Sequence, residues 1–223
     1  HAGYTVSTGL AEVFLQRYGR PFDVIRNMPV ARTTQPVQRE ERLLLYQGAV
    51  NEARGFEYII PALRGLPFRL LVCGDGNFME QLRALISEHG VSQQVELLGM
   101  VAPDELPAIT ARAWLGLNFL EPEGTSQYLS LTNKFFDYVQ EGLPQLASDY
   151  PEYRRYNAEY EVALLIPLTT EAIAGALQRL EADSDLYRRL QANTLVARPN
   201  WTWEGEAVRL LEIIQTTLAQ HGR

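Results

Sequence analysis

Lysine, cysteine and histidine are all scarce in this chain of 223 residues. Of its 20 basic side chains only Lys134 is a lysine, and the rest are arginines. The single cysteine, Cys73, excludes an internal disulfide, and its place in the apolar run FRLLVCGDG predicts a small buried hydrophobe. The three histidines stand at the terminus (His1), at a helix end before Gly90 (His89) and in the tail (His221). None is placed for catalysis, and with no cysteine cluster a metal centre is not expected. There is no basic run, and the net charge of −7 argues against a general nucleic-acid surface. A phosphate ligand would therefore need a small local positive site. No apolar stretch approaches the length of a membrane span, and the first residues lack a signal-peptide pattern, so a soluble cytoplasmic protein is the default expectation. An apolar fraction of 46% with 21% charged residues suits a globular protein with one sizeable core, or one domain and part of another.

From Glu41 onward short apolar runs alternate with longer amphipathic ones. Strands are expected at LLLYQG (43–48), FRLLVCG (68–74), VELLG (95–99), WLGLNFL (114–120), PQLAS (144–148) and VALLIP (162–167). These runs are continuous rather than alternating, as in strands buried on both faces. Helical patterns lie near 52–64, 77–89, 104–112, 132–141 and 151–158, then at 170–181, 184–194 and 202–219. The last carries a stripe of Ala207, Leu210, Leu211, Ile214 and Leu218. Six strands alternating with helices predict an α/β fold, a Rossmann-like doubly wound parallel sheet. On such sheets ligands sit outside the carboxyl ends of the strands. The first forty residues differ: GYTVSTGLAEVFLQRYGRPFDVIRN reads strand, helix, strand. It is followed by the aperiodic, proline-bearing MPVARTTQPVQREE, which predicts a linker. That order suggests the tail of an upstream domain, with an unusual N-terminal extension of a single domain as the competing reading.

Lys134 opens one candidate site. Thr132 or Asn133 is a good N-cap, and Phe135 and Val139 give the next helix its buried side. Lys134, Asp137 and Glu141 then share one face. The helix dipole disfavours a cation in the first turn, a cost that makes sense if an anion binds there. A solvated Lys134–Asp137 pair, contributing a few tenths of a kcal/mol, is the competing reading, and an arginine-biased composition that leaves one lysine by chance is another. Arg54, near the start of the helix after Gly48, could grip a phosphate through paired N–H donors. CGDGNF (73–78) has two of the three glycines of a dinucleotide fingerprint and reads better as a tight strand-to-helix turn. Tyr150, Tyr153, Tyr156 and Tyr160 could stack on a sugar but more often pack, and the WTW at 201–203 reads as a packing anchor.

Taken together, the residues resemble the C-terminal half of a family 4 glycosyltransferase, a retaining nucleotide-sugar enzyme of GT-B architecture. GYTVSTGLAEVFLQRYG…FDVIRNMPV is similar to the end of that family's N-terminal domain and its crossover. YQGAVNEARGFEYIIPAL resembles its phosphate-binding segment, and FRLLVCGDG and VELLGMVAPDELPAI resemble the next two strand-to-helix units. NKFFDYVQEGLPQLASDYPEY resembles the donor-site helix and its strand, and NWTWEGEAVRLLEII the closing helix. The resemblance implies that residues 1–40 end an acceptor domain and its linker, and that 41–223 form a nucleotide-sugar-binding domain.

Residue by residue, the resemblance implies phosphate contacts from Arg54, Asn133 and Lys134 and a ribose contact from Asp137. Glu123 would contact the donor sugar, and the backbone at Val101 would meet the base. The family's phosphate-segment arginine falls on Ala49 and its first signature glutamate on Leu129, neither of which can serve. No cofactor and no metal are implied. The partners implied are a nucleotide-sugar donor and, through an N-terminal domain outside this chain, an acceptor glycan, lipid or small molecule. A place in the cytoplasm, peripheral to a membrane for the full-length protein, would fit. Two other functions stay open: a nucleotide-binding or interaction module without catalysis, and a GT-B nucleotide-sugar epimerase.

Overall fold

The protein was analysed as a computed structural model that describes residues 3–32 and 37–221. His1 and the Thr33–Pro36 stretch of the expected linker lie outside the described residues. All six expected strands form: β3 (Leu43–Gln47), β4 (Arg69–Cys73), β5 (Val95–Gly99), β6 (Leu115–Asn118), β7 (Gln145–Ser148) and β8 (Ala163–Ile166). They make one sheet in the order β5-β4-β3-β6-β7-β8, and every pairing is parallel. The chain builds outward from β3 to β5, returns to lay β6 beside β3, and builds outward again to β8. The reversal falls between β3 and β6, the switch point at which an open α/β sheet leaves a crevice.

Successive residues of β3 serve opposite faces, which explains its unbroken apolar run. Leu44 and Tyr46 join the larger core with Ile59, Ile60 and Leu63 of α2 (Phe56–Ala62), Leu82 of α3 (Met79–Glu88) and Ile173 and Leu177 of α8 (Thr170–Ala182). Leu43 and Leu45 face the smaller core with Leu71, Cys73, Tyr138 and Leu143. Cys73 is buried there, as its apolar run predicts. Tyr138 belongs to α6 (Asn133–Gln140) and fixes that helix over the switch point. Its hydroxyl donates toward the carbonyls of Leu45 (3.1 Å) and Leu117 (3.2 Å), one on each of the two central strands. Its ring lies where a Cβ on Gly116 would approach within 2.5 Å, so only glycine lets the helix come this close.

The expected helices are present with shifted ends. Helix α2 starts four residues later than the pattern 52–64, because Ala53 (φ 59°) and Gly55 (φ 76°) are left-handed and cannot join it. A short helix that the pattern did not predict, α5 (Gly124–Tyr128), folds inside the loop before α6. The remainder are α4 (Leu106–Arg112), α7 (Pro151–Tyr160), α9 (Ser184–Ala197) and α10 (Trp203–His221). The aromatic residues pack as a cluster: Trp201 lies 5.1–5.7 Å from the rings of Phe135, Phe136, Tyr156 and Tyr160.

Ahead of the sheet, β1 (Tyr4–Thr5), α1 (Thr8–Tyr18) and β2 (Asp23–Val24) form the expected strand–helix–strand piece with its own parallel pair. It is fastened to the larger unit through carboxylates. Glu152 of α7 accepts from the N–H groups of Thr8 and Gly9 at the start of α1, where the helix dipole favours an anion. Glu206 of α10 accepts from the Arg26 N–H at 2.7 Å, and Glu204 holds the Ala31 N–H. The apolar stripe of α10 is not buried in the core. Leu211, Ile214 and Leu218 are exposed, and the helix forms with Gly3 and Tyr4 an open apolar groove of about 210 Å³.

Candidate functional site

At the carboxyl ends of β3 and β6 lies a cavity of about 500 Å³, within the usual range for small-molecule sites. Its walls come from the loop after β3 (Gly48, Ala49, Arg54), the loop after β6 (Leu120, Gln127, Ser130) and the start of α6 (Asn133, Lys134, Asp137).

The first loop is built by close backbone approach. The Gly48 N–H donates to the Cys73 carbonyl (2.8 Å), the Val50 N–H to the Asp75 carbonyl (3.0 Å), and the Phe78 N–H to the Val50 carbonyl (3.0 Å). Gly74 sits at φ 150°, and a Cβ there would come 1.8 Å from the Gly48 carbonyl oxygen. The glycines of CGDG are thus needed for an interlocked pair of turns, as the tight-turn reading expects. The left-handed Ala53 and Gly55 then bracket Arg54 and bring it to the cavity.

The start of α6 is held by a buried polar chain. Thr132 occupies the N-cap position in an extended conformation but makes no capping bond. Its hydroxyl donates instead to Asn118 Oδ1 at 2.7 Å. Asn118 donates to Gln145 Oε1 (3.0 Å), and Gln145 donates to the Phe135 carbonyl (3.0 Å). The Tyr153 hydroxyl also donates to Asn118 Oδ1. The first-turn N–H groups of α6 therefore have no side-chain cap, and two of the residues that carry them, Asn133 and Lys134, line the cavity.

Lys134 rests with its ammonium 4.8 Å from the centre of the Tyr46 ring. The Tyr46 hydroxyl is tied to the Ala49 carbonyl at 2.6 Å, which fixes that ring. Among the described residues Lys134 makes no hydrogen bond and no salt bridge, so the solvated pair with Asp137 is not formed. Burial lowers its pKa from 10.5 to about 8, the Arg54 charge adds to the lowering, and Asp137 opposes it. Burial likewise raises the Asp137 carboxyl, against the charges of Arg32 and Lys134 and a hydrogen bond from Gln47. Two cations thus share one cavity at an uncapped helix start, and among the described residues neither forms a salt bridge. Such an arrangement is suited to an anion.

A second chamber of about 180 Å³ adjoins, sharing Gln47, Leu106 and Asp137 with the first and adding Arg32, Pro103, Pro107, Thr110 and Glu141. Arg32 pairs there with the buried Glu141 at 3.3 Å, and the Thr110 hydroxyl donates to Gln47 Oε1 at 2.7 Å.

The structure brings together Arg54, Asn133, Lys134 and Asp137 from the sequence expectation. Glu123 is a correction: it is exposed at the N-cap of α5 and does not line the cavity, because α5 turns that end of the loop outward. Val101 is half-buried against the smaller core, and its loop neighbours Pro103 and Leu106, rather than Val101, line the second chamber. Leu129, at the position of the missing glutamate, packs against Gly9 of α1. Sequence reasoning passed over Gln47, Asn118, Gln127 and Gln145. Gln47, Asn118 and Gln145 carried a signal, being polar residues inside runs read as buried strands. Among the described residues no group of three or more His, Cys, Asp or Glu gathers as a metal site, and no helix is long and apolar enough to cross a membrane.

Several solved structures share this fold. Anabaena HepE, solved with UDP, matches with a TM-score of 0.80 at 16% identity over 96% of this chain and 64% of that one. Sucrose-phosphate synthase from Thermosynechococcus elongatus matches with 0.78 at 20% identity, over 96% and 58%. A mutant of S. aureus TarM, solved with UDP among its ligands, matches with 0.76 at 11% identity, over 95% and 43%. The chain therefore spans between 43% and 64% of the length of these relatives. Among curated proteins there is no sequence match. The family model of the group 1 glycosyl transferases matches residues 41–183, from just before β3 to the end of α8. The chain belongs to the group 1 glycosyltransferases.

Proposed function

We propose that this chain is the donor-binding half of a retaining glycosyltransferase that takes a nucleotide-diphosphate sugar. The observation that carries the reading is the unpaired Lys134 ammonium, enclosed with Arg54 at the uncapped start of α6. Lys134, Arg54 and the N–H groups at Asn133 hold the diphosphate and stabilise the charge that develops on it as the sugar leaves. Asp137, an acceptor at the junction of the two chambers, receives the ribose hydroxyls, and the base lies toward Pro103 and the loop from Val101. No metal takes part in this proposal. The acceptor, a glycan, lipid or small molecule, comes from an N-terminal domain, and residues 1–40 are its end and the crossover. The protein acts in the cytoplasm, at the membrane face if the acceptor is a lipid.

The test is thermal stability of this chain with UDP, GDP, ADP and their sugars, beside Lys134→Ala. A ligand at a hundred times its dissociation constant adds about 2.7 kcal/mol, a midpoint shift of roughly 5–10 °C at this size. A shift with one nucleotide, lost in Lys134→Ala, is expected; no shift with any of them, in this chain and in the full-length protein, refutes the site. Sugar transfer by these 223 residues alone would refute the two-domain division of labour. A nucleotide-binding module without catalysis is the second reading, favoured by Leu129, which serves packing where the family carries a glutamate. It predicts nucleotide binding with no transfer even by the full-length protein.

A further inference from the structure

Gln127 of α5 lines the main cavity, yet its carboxamide makes no hydrogen bond among the described residues. Its Oε1 is closed off from solvent with no partner, one of three such buried side-chain atoms among the described residues. An amide oxygen in that condition is costly to the ligand-free protein, and such groups in native structures call for an explanation. The other two have structural settings. Arg26 is paired with Glu206, and Gln140 spends its amide hydrogens on the carbonyls of Arg198 and Trp201. Gln127 has no such use.

Three carboxamides line the cavity: Gln47 is engaged by Thr110, Asn133 is exposed at the start of α6, and Gln127 alone has a buried oxygen without a partner. Arg54, Lys134 and the α6 N–H groups only donate, which suits an anion, whereas Asp137 is an acceptor. A carboxamide carries a donor and an acceptor on one plane, and a half-turn about its terminal bond exchanges which of them faces the ligand. The matching group is a hydroxyl, which does both. Gln127, Ser130 and Asn133 line the main cavity and not the second chamber, whereas Asp137 and Gln47 line both; Asn133 is exposed at the diphosphate end, next to Lys134. A nucleoside on the Asp137 side and a diphosphate at Lys134 therefore leave the Gln127 side for what the diphosphate carries. The Ser130 hydroxyl donates to the Ser126 carbonyl, so its own proton is already engaged.

We infer that the Gln127 carboxamide is the sugar-recognising group of this cavity, hydrogen-bonding a hydroxyl of the donor's sugar. The inference rests on the nucleotide-sugar reading above. It assigns sugar selection to a neutral amide on α5, where Leu129 and Glu123 supply no carboxylate to the cavity.

The test compares wild type with Gln127→Ala and the near-isosteric Gln127→Met in the intact protein. Calorimetric titrations use UDP and UDP-glucose, GDP and GDP-mannose, and ADP and ADP-glucose. Both variants are expected to bind the free diphosphate as wild type does and the corresponding sugar nucleotide about three- to tenfold more weakly, the loss of one neutral hydrogen bond. Ligand-free Gln127→Met should melt no lower than wild type, since it removes an unpartnered buried oxygen, and this keeps the test meaningful if Gln127→Ala folds poorly. Equal weakening of nucleotide and sugar nucleotide, or none of either, overturns the role of Gln127 and leaves the nucleotide site standing. A lowered melting point in Gln127→Met overturns it in favour of packing. If wild type binds none of the six compounds, the nucleotide-sugar reading fails and this inference with it.

Discussion

Lys134 holds its charge where burial and Arg54 both oppose it, and that makes its proton sensitive to what occupies the cavity. With a folded pKa near 8 against an ordinary 10.5, the unfolded chain keeps a proton that the folded chain has lost between those values. Stability of the ligand-free protein should therefore rise with pH across that window. A bound diphosphate reverses the preference, since it favours the ammonium. Affinity for a nucleoside diphosphate should fall as pH climbs above about 8, by at most tenfold per pH unit. Titrations at pH ~7 and pH ~9.5 measure this directly. Lys134→Ala should bind weakly at both, and Lys134→Arg should lose the pH dependence because the guanidinium stays charged.

At the level of elements, the cavity depends on two turns and one helix start. Replacing Gly74 by alanine would drive a Cβ to 1.8 Å from the Gly48 carbonyl in a backbone region that L side chains avoid. The loops after β3 and β4 must then part, at a cost of roughly 3 kcal/mol or more. We expect a lower melting point together with weakened nucleotide binding, since Arg54 sits on the displaced loop. Asn118→Ala removes the hub of the chain joining Thr132, Gln145 and Tyr153, leaving several buried partners unmet. A loss of about 2–4 kcal/mol by denaturant unfolding is expected. Failure to lose more than about 1 kcal/mol would mean that the α6 start is held by packing alone.

For the molecule as a whole, the segment that follows β2 is fastened by α10. Arg26 and Glu206 form a mostly buried pair at 3.9 Å, with the Arg26 guanidinium also 4.9 Å from the Tyr156 ring. Removing the carboxylate in Glu206→Ala leaves a desolvated arginine without its partner, which should cost about 3–5 kcal/mol. The melting point should fall accordingly, and protease cleavage near residues 25–32 should quicken. Glu204 holds the exposed Ala31 N–H, so Glu204→Ala should cost less than about 1 kcal/mol in the same assay.

Continuous apolar runs marked the six strands and the parallel class, because strands buried on both faces cannot alternate; edge strand β5, exposed at Glu96 and Leu98, is the exception. Local chemistry at 132–137 marked the start of α6, and the scarcity of lysine drew notice to Lys134. Glu123 shows where local reading ended: its distance from Lys134 along the chain said nothing of α5, which turns it outward. Gln127 and Arg32 were equally unmarked, since a polar side chain in a loop gains meaning only from what surrounds it. That Lys134 makes no salt bridge among the described residues, and that Arg32, ahead of β3, faces Glu141 beside Asp137, depend on elements far apart in sequence. Periodicity records which face of an element is buried. Partnership between side chains is decided by packing across the switch point, and only the tertiary structure carries it.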